Sequence, residues 1–239
     1  MHHDTYAVAV PFYDLWHLDG HVPAVREQLA PLLKQVRGSV IEIGAGTGLI
    51  TELIARQTTA EIYAVEPSLG MRSVLLSRLT QDPETLRRVT VLPCGALDVE
   101  VDEPVEAVVM ISVLQSFDAG ERARLWRLLS PQLRPGGMLV FNWRERATPE
   151  AGELREMASY QVGRHTYEVA GQVLDVAGEA VTSRFVYRIR QGEVLISEEE
   201  VVGENHWPPA ERLASELESA GFTRDEAPDG IQVWRLPKN

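Results

Sequence analysis

Apolar residues recur at Val22, Val25, Leu29, Leu32, Leu33 and Val36. That three-and-four spacing lines one face of a helix, and Gly38 just beyond it ends the helix. Short apolar runs follow at residues 39–43, 61–65, 89–92, 107–111 and 138–143. The first stops at glycines, and each reads as a buried strand. Helical patterns occupy residues 49–55, 71–79 and 122–133, and Pro135-Gly136-Gly137 ends the last of them. Strands that alternate with helices predict a parallel sheet covered by helices on both faces.

The pattern changes after Trp143. Residues 160–202 are dense in Val, Tyr, Thr and Phe with frequent Gly, and they read as antiparallel strands. Within them, residues 183–190 and 193–201 flank Gln191-Gly192 as a hairpin. The chain returns to helix over 209–220 and ends in short strands near Phe222 and over 231–236. The other end is aromatic, with Tyr6, Phe12, Tyr13 and Trp16, and Pro11 is expected to interrupt any long helix there. This divides the chain into an N-terminal segment (1–21), a core (22–143 and 208–239) and an antiparallel insertion (144–207).

The 239 residues suit one α/β domain with a modest insertion. A net charge of −12 argues against a nucleic-acid substrate, which needs a basic footprint. Cys94 is the single cysteine, so no intrachain disulfide forms, and a reducing, cytoplasmic setting is expected. The N-terminus lacks a basic stretch followed by an apolar run, so no signal peptide is expected. No apolar stretch reaches spanning length, so no membrane partner is expected either. His2 and His3 are too few for a metal site, and no metal is expected.

The candidate chemistry lies in Val40-Ile41-Glu42-Ile43-Gly44-Ala45-Gly46-Thr47-Gly48. A strand runs into three glycines at alternate positions, and a helix follows. Glycines let the backbone turn sharply and approach a ligand without Cβ obstruction. Taken alone, they also fit a tight turn with no ligand. Glu66 shifts the balance: it ends the second strand, 22 residues after Gly44, where a carboxylate can accept both hydroxyls of a ribose. A nucleoside site follows, of open identity at this level. The dinucleotide fingerprint is not met, because its third glycine falls where this chain has Leu49.

Four segments in order resemble those of the class I S-adenosylmethionine-dependent methyltransferases. They are Glu42-x-Gly44-x-Gly46-x-Gly48, Ala64-Val65-Glu66-Pro67-Ser68 with Met71, Leu133-Arg134-Pro135-Gly136-Gly137-Met138-Leu139, and Ala220-Gly221-Phe222. The resemblance covers about residues 22–143 and 208–236. It implies a doubly wound, seven-stranded, mostly parallel sheet of Rossmann-like methyltransferase fold with an antiparallel β cap insertion. It also implies S-adenosylmethionine as cofactor and S-adenosylhomocysteine as product. Gly44, Ala45, Gly46 and Gly48 would run along the methionyl part, and Glu42 would sit near its ammonium. Glu66 and Pro67 would lie at the ribose, with Met71, Gly95 and Ala96 at the adenine and Ile111 and Ser112 at the end of the fourth strand. Many relatives carry aspartate where this chain has Gly95, which puts a side-chain bond to the adenine amine in doubt.

Methyl transfer from a sulfonium is an in-line displacement in a site that excludes water. A base is needed only when the acceptor must first lose a proton. Tyr13, Gln115 and His165 are the candidate catalytic groups; Gln115 cannot act as a base but can orient an acceptor. Trp16, Trp143 and Trp207 are candidate walls of the acceptor site, since aromatics bury large areas at low entropy cost. The insertion resembles the cap of glycine and amino-sugar N-methyltransferases, some of which dimerise through it. The expected activity is therefore methylation of a small, ring-containing metabolite at N, O or C by a monomer or cap-mediated homodimer. A non-catalytic module of the same fold and a nicotinamide-dependent oxidoreductase are the alternatives.

Overall fold

The computed structural model describes residues 6–17 and 21–238. Residues 1–5 (with His2 and His3) and 18–20 of the expected N-terminal segment lie outside them, as does Asn239. Two short helices lead in, α1 (Val10–Trp16) and α2 (His21–Leu33). The Rossmann-like part follows as β1 (Val40–Ile43), α3 (Leu49–Gln57), β2 (Ile62–Val65), α4 (Leu69–Leu79), α5 (Pro83–Arg88) and β3 (Val89–Leu92). It continues through β4 (Val105–Met110), α6 (Ala119–Gln132) and β5 (Leu133–Asn142). Four long strands come next: β6 (Arg155–Val162), β7 (His165–Ala177), β8 (Ala180–Gln191) and β9 (Val194–His206). The chain closes with α7 (Ala210–Ser219), β10 (Thr223–Asp225) and β11 (Ile231–Arg235).

The core is a seven-stranded sheet in the order β10-β11-β5-β4-β1-β2-β3. Pairings from β5 through β4, β1 and β2 to β3 are all parallel, while β11 runs antiparallel to both β5 and β10. Every residue of β1 is buried, because both faces of the sheet are covered. On one face Leu29, Ile54, Val109 and Val140 pack with α2 and α3; on the other Trp126, Leu129, Phe141, Leu217 and Trp234 pack with α6 and α7. The order reverses between β1 and β4, and the carboxyl ends of those two strands open the crevice in which ligands of such sheets bind.

The insertion forms its own antiparallel sheet, β6-β7-β8-β9. Phe185, Tyr187 and Ile189 alternate along β8 and share one face. That face receives α1: Phe12 lies 5.3 Å from the ring of Tyr167 and 5.1 Å from that of Tyr187. Pro11 sits in the first turn of α1, where its missing N–H costs nothing, so it starts the helix instead of interrupting one.

Other boundaries move for local reasons. Helix α6 starts at Ala119, three residues before the periodic run, because Asp118 and Glu121 form a reciprocal capping box. Helix α5 was not expected from its pattern; Asp82 caps it and Pro83 stands in its first turn. Strand β5 begins at Leu133, so Pro135-Gly136-Gly137 belongs to the strand and not to a separate turn. The turn of the β8–β9 hairpin falls on Gly192-Glu193, one residue later than expected, with Gly192 at φ 57°.

Candidate functional site

The glycine turn between β1 and α3 needs its glycines for conformation. Gly44, Gly46 and Gly48 stand at φ 72°, 56° and 89°, in the left-handed region that costs other residues free energy. Close approach adds to the requirement at Gly48, where a Cβ would lie 2.5 Å from Leu75 Cδ1. Glu66 braces the turn from the end of β2. One carboxylate oxygen accepts the Gly46 N–H at 2.8 Å, and the other accepts the Ser68 N–H at 2.8 Å at the start of α4.

Beside this turn lies a narrow cleft lined by Tyr13, Glu42, Gly44, Ala45, Ile111 and Ser112, among others. Glu42 is 2% exposed, and its Oε2 has no hydrogen-bond partner. Burial pushes its carboxyl up to about 8, and repulsion from Glu66 adds to the rise. Thr51 beside it offsets part of that rise, although its Oγ1 closes no hydrogen bond of normal geometry. A buried, unpartnered carboxyl oxygen in a cleft is complementary to a cationic group. An α-ammonium fits it, and the backbone-lined turn beside it fits an extended chain.

Two further features shape the cleft wall. Ser112 adopts φ 58° without being glycine, a conformation that costs on the order of 1 kcal/mol. Asn142 at the end of β5 holds it, with Oδ1 accepting the Ser112 N–H at 2.6 Å, and Gln115 Nε2 donates to the Ser112 carbonyl at 2.7 Å. The sequence pattern missed Asn142; its signal was a lone amide inside the apolar run 138–143. Tyr13 of α1 lies over the turn, its Oη 3.7 Å from where a Gly46 Cβ would be. Burial first, then neighbouring charge, raises its phenol far above the ordinary tyrosine range, so it is a neutral hydroxyl at pH 7.

Pro67 is exposed and Met71 is buried at the start of α4, while Gly95 and Ala96 form the turn after β3. Asp98 Oδ2 lies 3.3 Å from where a Gly95 Cβ would be. Trp16 packs 6.2 Å from Phe185 on the cap face. Trp143 and Trp207 stack on each other at 5.5 Å, and Trp143 belongs to the α6–α7 side of the core. Trp143 borders a second cavity, between α7 and β11, and neither tryptophan lines the cleft at Glu42. His165 stands next to the β6–β7 turn on the face of Tyr167 and Val169, and it does not line the cleft. Among the described residues, no three His, Cys, Asp or Glu side chains group as a metal site, and no helix is long and apolar enough to cross a membrane.

Comparison with known proteins agrees with this geometry. Residues 40–137 match a family described as a methyltransferase domain. A malonyl-[acyl-carrier protein] O-methyltransferase of Priestia megaterium is 28% identical over 106 residues, 44% of this chain and 36% of that protein. The chain thus matches about a third of that relative's length. Among solved structures, DesVI of Streptomyces venezuelae superposes with a TM-score of 0.75 at 18% identity, over 94% of this chain and 96% of that one. CalS10, an amino pentose methyltransferase from Micromonospora echinaspora solved with bound S-adenosylmethionine, gives 0.73 at 14% identity, over 91% and 92%. With the glycine turn and the braced acid of β2 inside the matched segment, residues 40–137 carry a methyltransferase domain, and the seven-stranded sheet around them has the Rossmann-like methyltransferase fold.

Proposed function

We propose that the protein methylates an N, O or C atom of a small, ring-containing metabolite, in the manner of enzymes of natural-product biosynthesis. The carrying observation is Glu42, a buried carboxyl whose unpartnered oxygen lines the cleft beside the glycine turn. In this reading Glu42 receives the cofactor's ammonium, Gly44 to Gly48 its methionyl chain, Glu66 its ribose and Met71 its adenine. S-adenosylmethionine supplies an electrophilic methyl on a sulfonium. The chain's own part is positioning and exclusion of water. Helix α1 acts as a lid, and the antiparallel sheet covers the acceptor from the other side.

Support for the acceptor class comes from the amino pentose named for CalS10. Tyr13 is the group best placed to hydrogen-bond an acceptor, since it lines the cleft as a neutral hydroxyl. The reading places the enzyme in the cytoplasm as a monomer or a dimer through the cap, without nucleic acid. Incubation with S-adenosylmethionine and a panel of amino sugars and their nucleotide-linked forms tests it. Mass spectrometry should show a methylated acceptor and stoichiometric S-adenosylhomocysteine. Tight cofactor binding with no transfer to any panel member would instead favour a non-catalytic module.

A further inference from the structure

Three residues far apart in sequence meet at the rim of the glycine turn. Arg78, in the last turn of α4, donates from Nε to the Thr47 carbonyl at 2.9 Å, and its terminal nitrogen pairs with Asp14 Oδ2. Thr47 Oγ1 donates to the other Asp14 oxygen at 2.5 Å. Gly48 lets α4 rest directly on the turn: a Cβ there would lie 2.5 Å from Leu75 Cδ1, one helical turn before Arg78. Asp14 follows Tyr13, and its tether fixes the helix that carries the tyrosine over Gly46.

Helix α1 is therefore gripped from two sides by different physics. On the cap side the grip is apolar, through Phe12 and Trp16. On the turn side it is ionic and half open to solvent, with the Asp14 side chain 38% and the Arg78 side chain 25% exposed. An ion pair at that exposure adds little to global stability. It can still decide how often α1 lifts from the turn, because it is a polar contact that lies between the lid and the cofactor motif.

We propose that Asp14 and Arg78 are positioning residues of the cofactor site: by holding α1, and so Tyr13, against the glycine turn, they set how fast cofactor enters and leaves. The inference rests on the cofactor site described above and adds its control. A ligand lying along the turn passes Tyr13 on its way out. Loosening the ionic grip opens that path in both directions, so association and dissociation accelerate together and the equilibrium constant changes little. A residue that touched the cofactor would behave differently, since its loss raises dissociation and leaves association alone.

The test uses the full-length protein and S-adenosylhomocysteine, followed by stopped-flow tryptophan fluorescence, with dissociation measured by displacement with excess S-adenosylmethionine. Asp14→Asn and Arg78→Ala should each raise both rate constants about fivefold or more, with Kd within about threefold of the parent. Arg78→Lys, which keeps the charge but not the fork, should fall between parent and Ala. Salt should accelerate exchange in the parent and leave Asp14→Asn unaffected, because only the parent has an ion pair to screen. Rates within twofold of the parent, or faster dissociation with unchanged association, would overturn the proposal. Asp14→Asn is nearly isosteric and decides alone if Arg78→Ala fails to fold. A parent that binds no S-adenosylhomocysteine would overturn the cofactor placement as well, whereas normal parental binding with unaltered variants overturns only this inference.

Discussion

The proposed placement of the cofactor's ammonium at Glu42 makes binding a proton-linked event. In the free protein its carboxyl titrates at about 8, chiefly because burial disfavours the charge. At pH 7 roughly nine in ten molecules carry it protonated. A cationic ammonium requires the carboxylate, so binding at pH 7 must first remove that proton, at a cost of about 1.4 kcal/mol, one pKa unit. The sign follows directly: affinity rises with pH, about tenfold per unit, from pH 6 towards 8. Above that the ligand's own amino group, with an ordinary value near 8, begins to lose its proton, so affinity passes through a maximum. Isothermal calorimetry of S-adenosylhomocysteine in two buffers of different ionisation enthalpy should show nearly one proton released per site at pH 6.5. Glu42→Gln should abolish the release and flatten the profile between pH 6 and 7.5. A parental Kd independent of pH over that range, with no buffer-dependent heat, would refute the placement of the ammonium at Glu42.

The same carboxyl makes a stability prediction of the opposite slope: its folded value lies above its unfolded 4.5, so its contribution is fully present below 4.5 and is lost as pH rises through about 8. Urea melts should therefore show Glu42→Gln gaining on the parent as pH rises from 5 to 8.5 without ligand. Glu66→Ala should weaken S-adenosylmethionine binding by about 1–3 kcal/mol, since it removes the proposed ribose acceptor and orphans the Gly46 and Ser68 N–H groups; calorimetry on the folded variant checks it. Gly46→Val should abolish S-adenosylhomocysteine binding, because a branched residue is strained at φ 56° and would press on Tyr13; normal binding would refute the turn's role. Asn142→Ala should release Ser112 from its left-handed conformation and lower melting temperature by a few degrees, with a larger loss in cofactor affinity than Gln115→Ala.

The linear chain determined the strand–helix alternation, the glycine turn and the acid that follows β2, because these are local in sequence. Burial on both faces demands unbroken apolar strands such as residues 40–43, and the left-handed turn demands glycines at 44, 46 and 48. The Val-, Tyr-, Thr- and Phe-rich run over 160–202, with its hairpin at Gln191-Gly192, likewise announced antiparallel strands. What no local pattern carried was the partner of each polar group. Glu66 reads as a ribose acceptor in sequence; folding shows that it first braces Gly46 and Ser68. Trp143 and Trp207 read as pocket walls, and packing sets them against each other on the α6–α7 face. Pro11 reads as a helix breaker and begins a helix, because its position within the turn decides its effect. The knot of Asp14, Thr47 and Arg78 joins residues 31 to 64 positions apart. Secondary structure follows from neighbours along the chain, but a side chain's hydrogen bonds and pKa follow from neighbours in space, and those exist only once the sheet and cap have brought distant segments together.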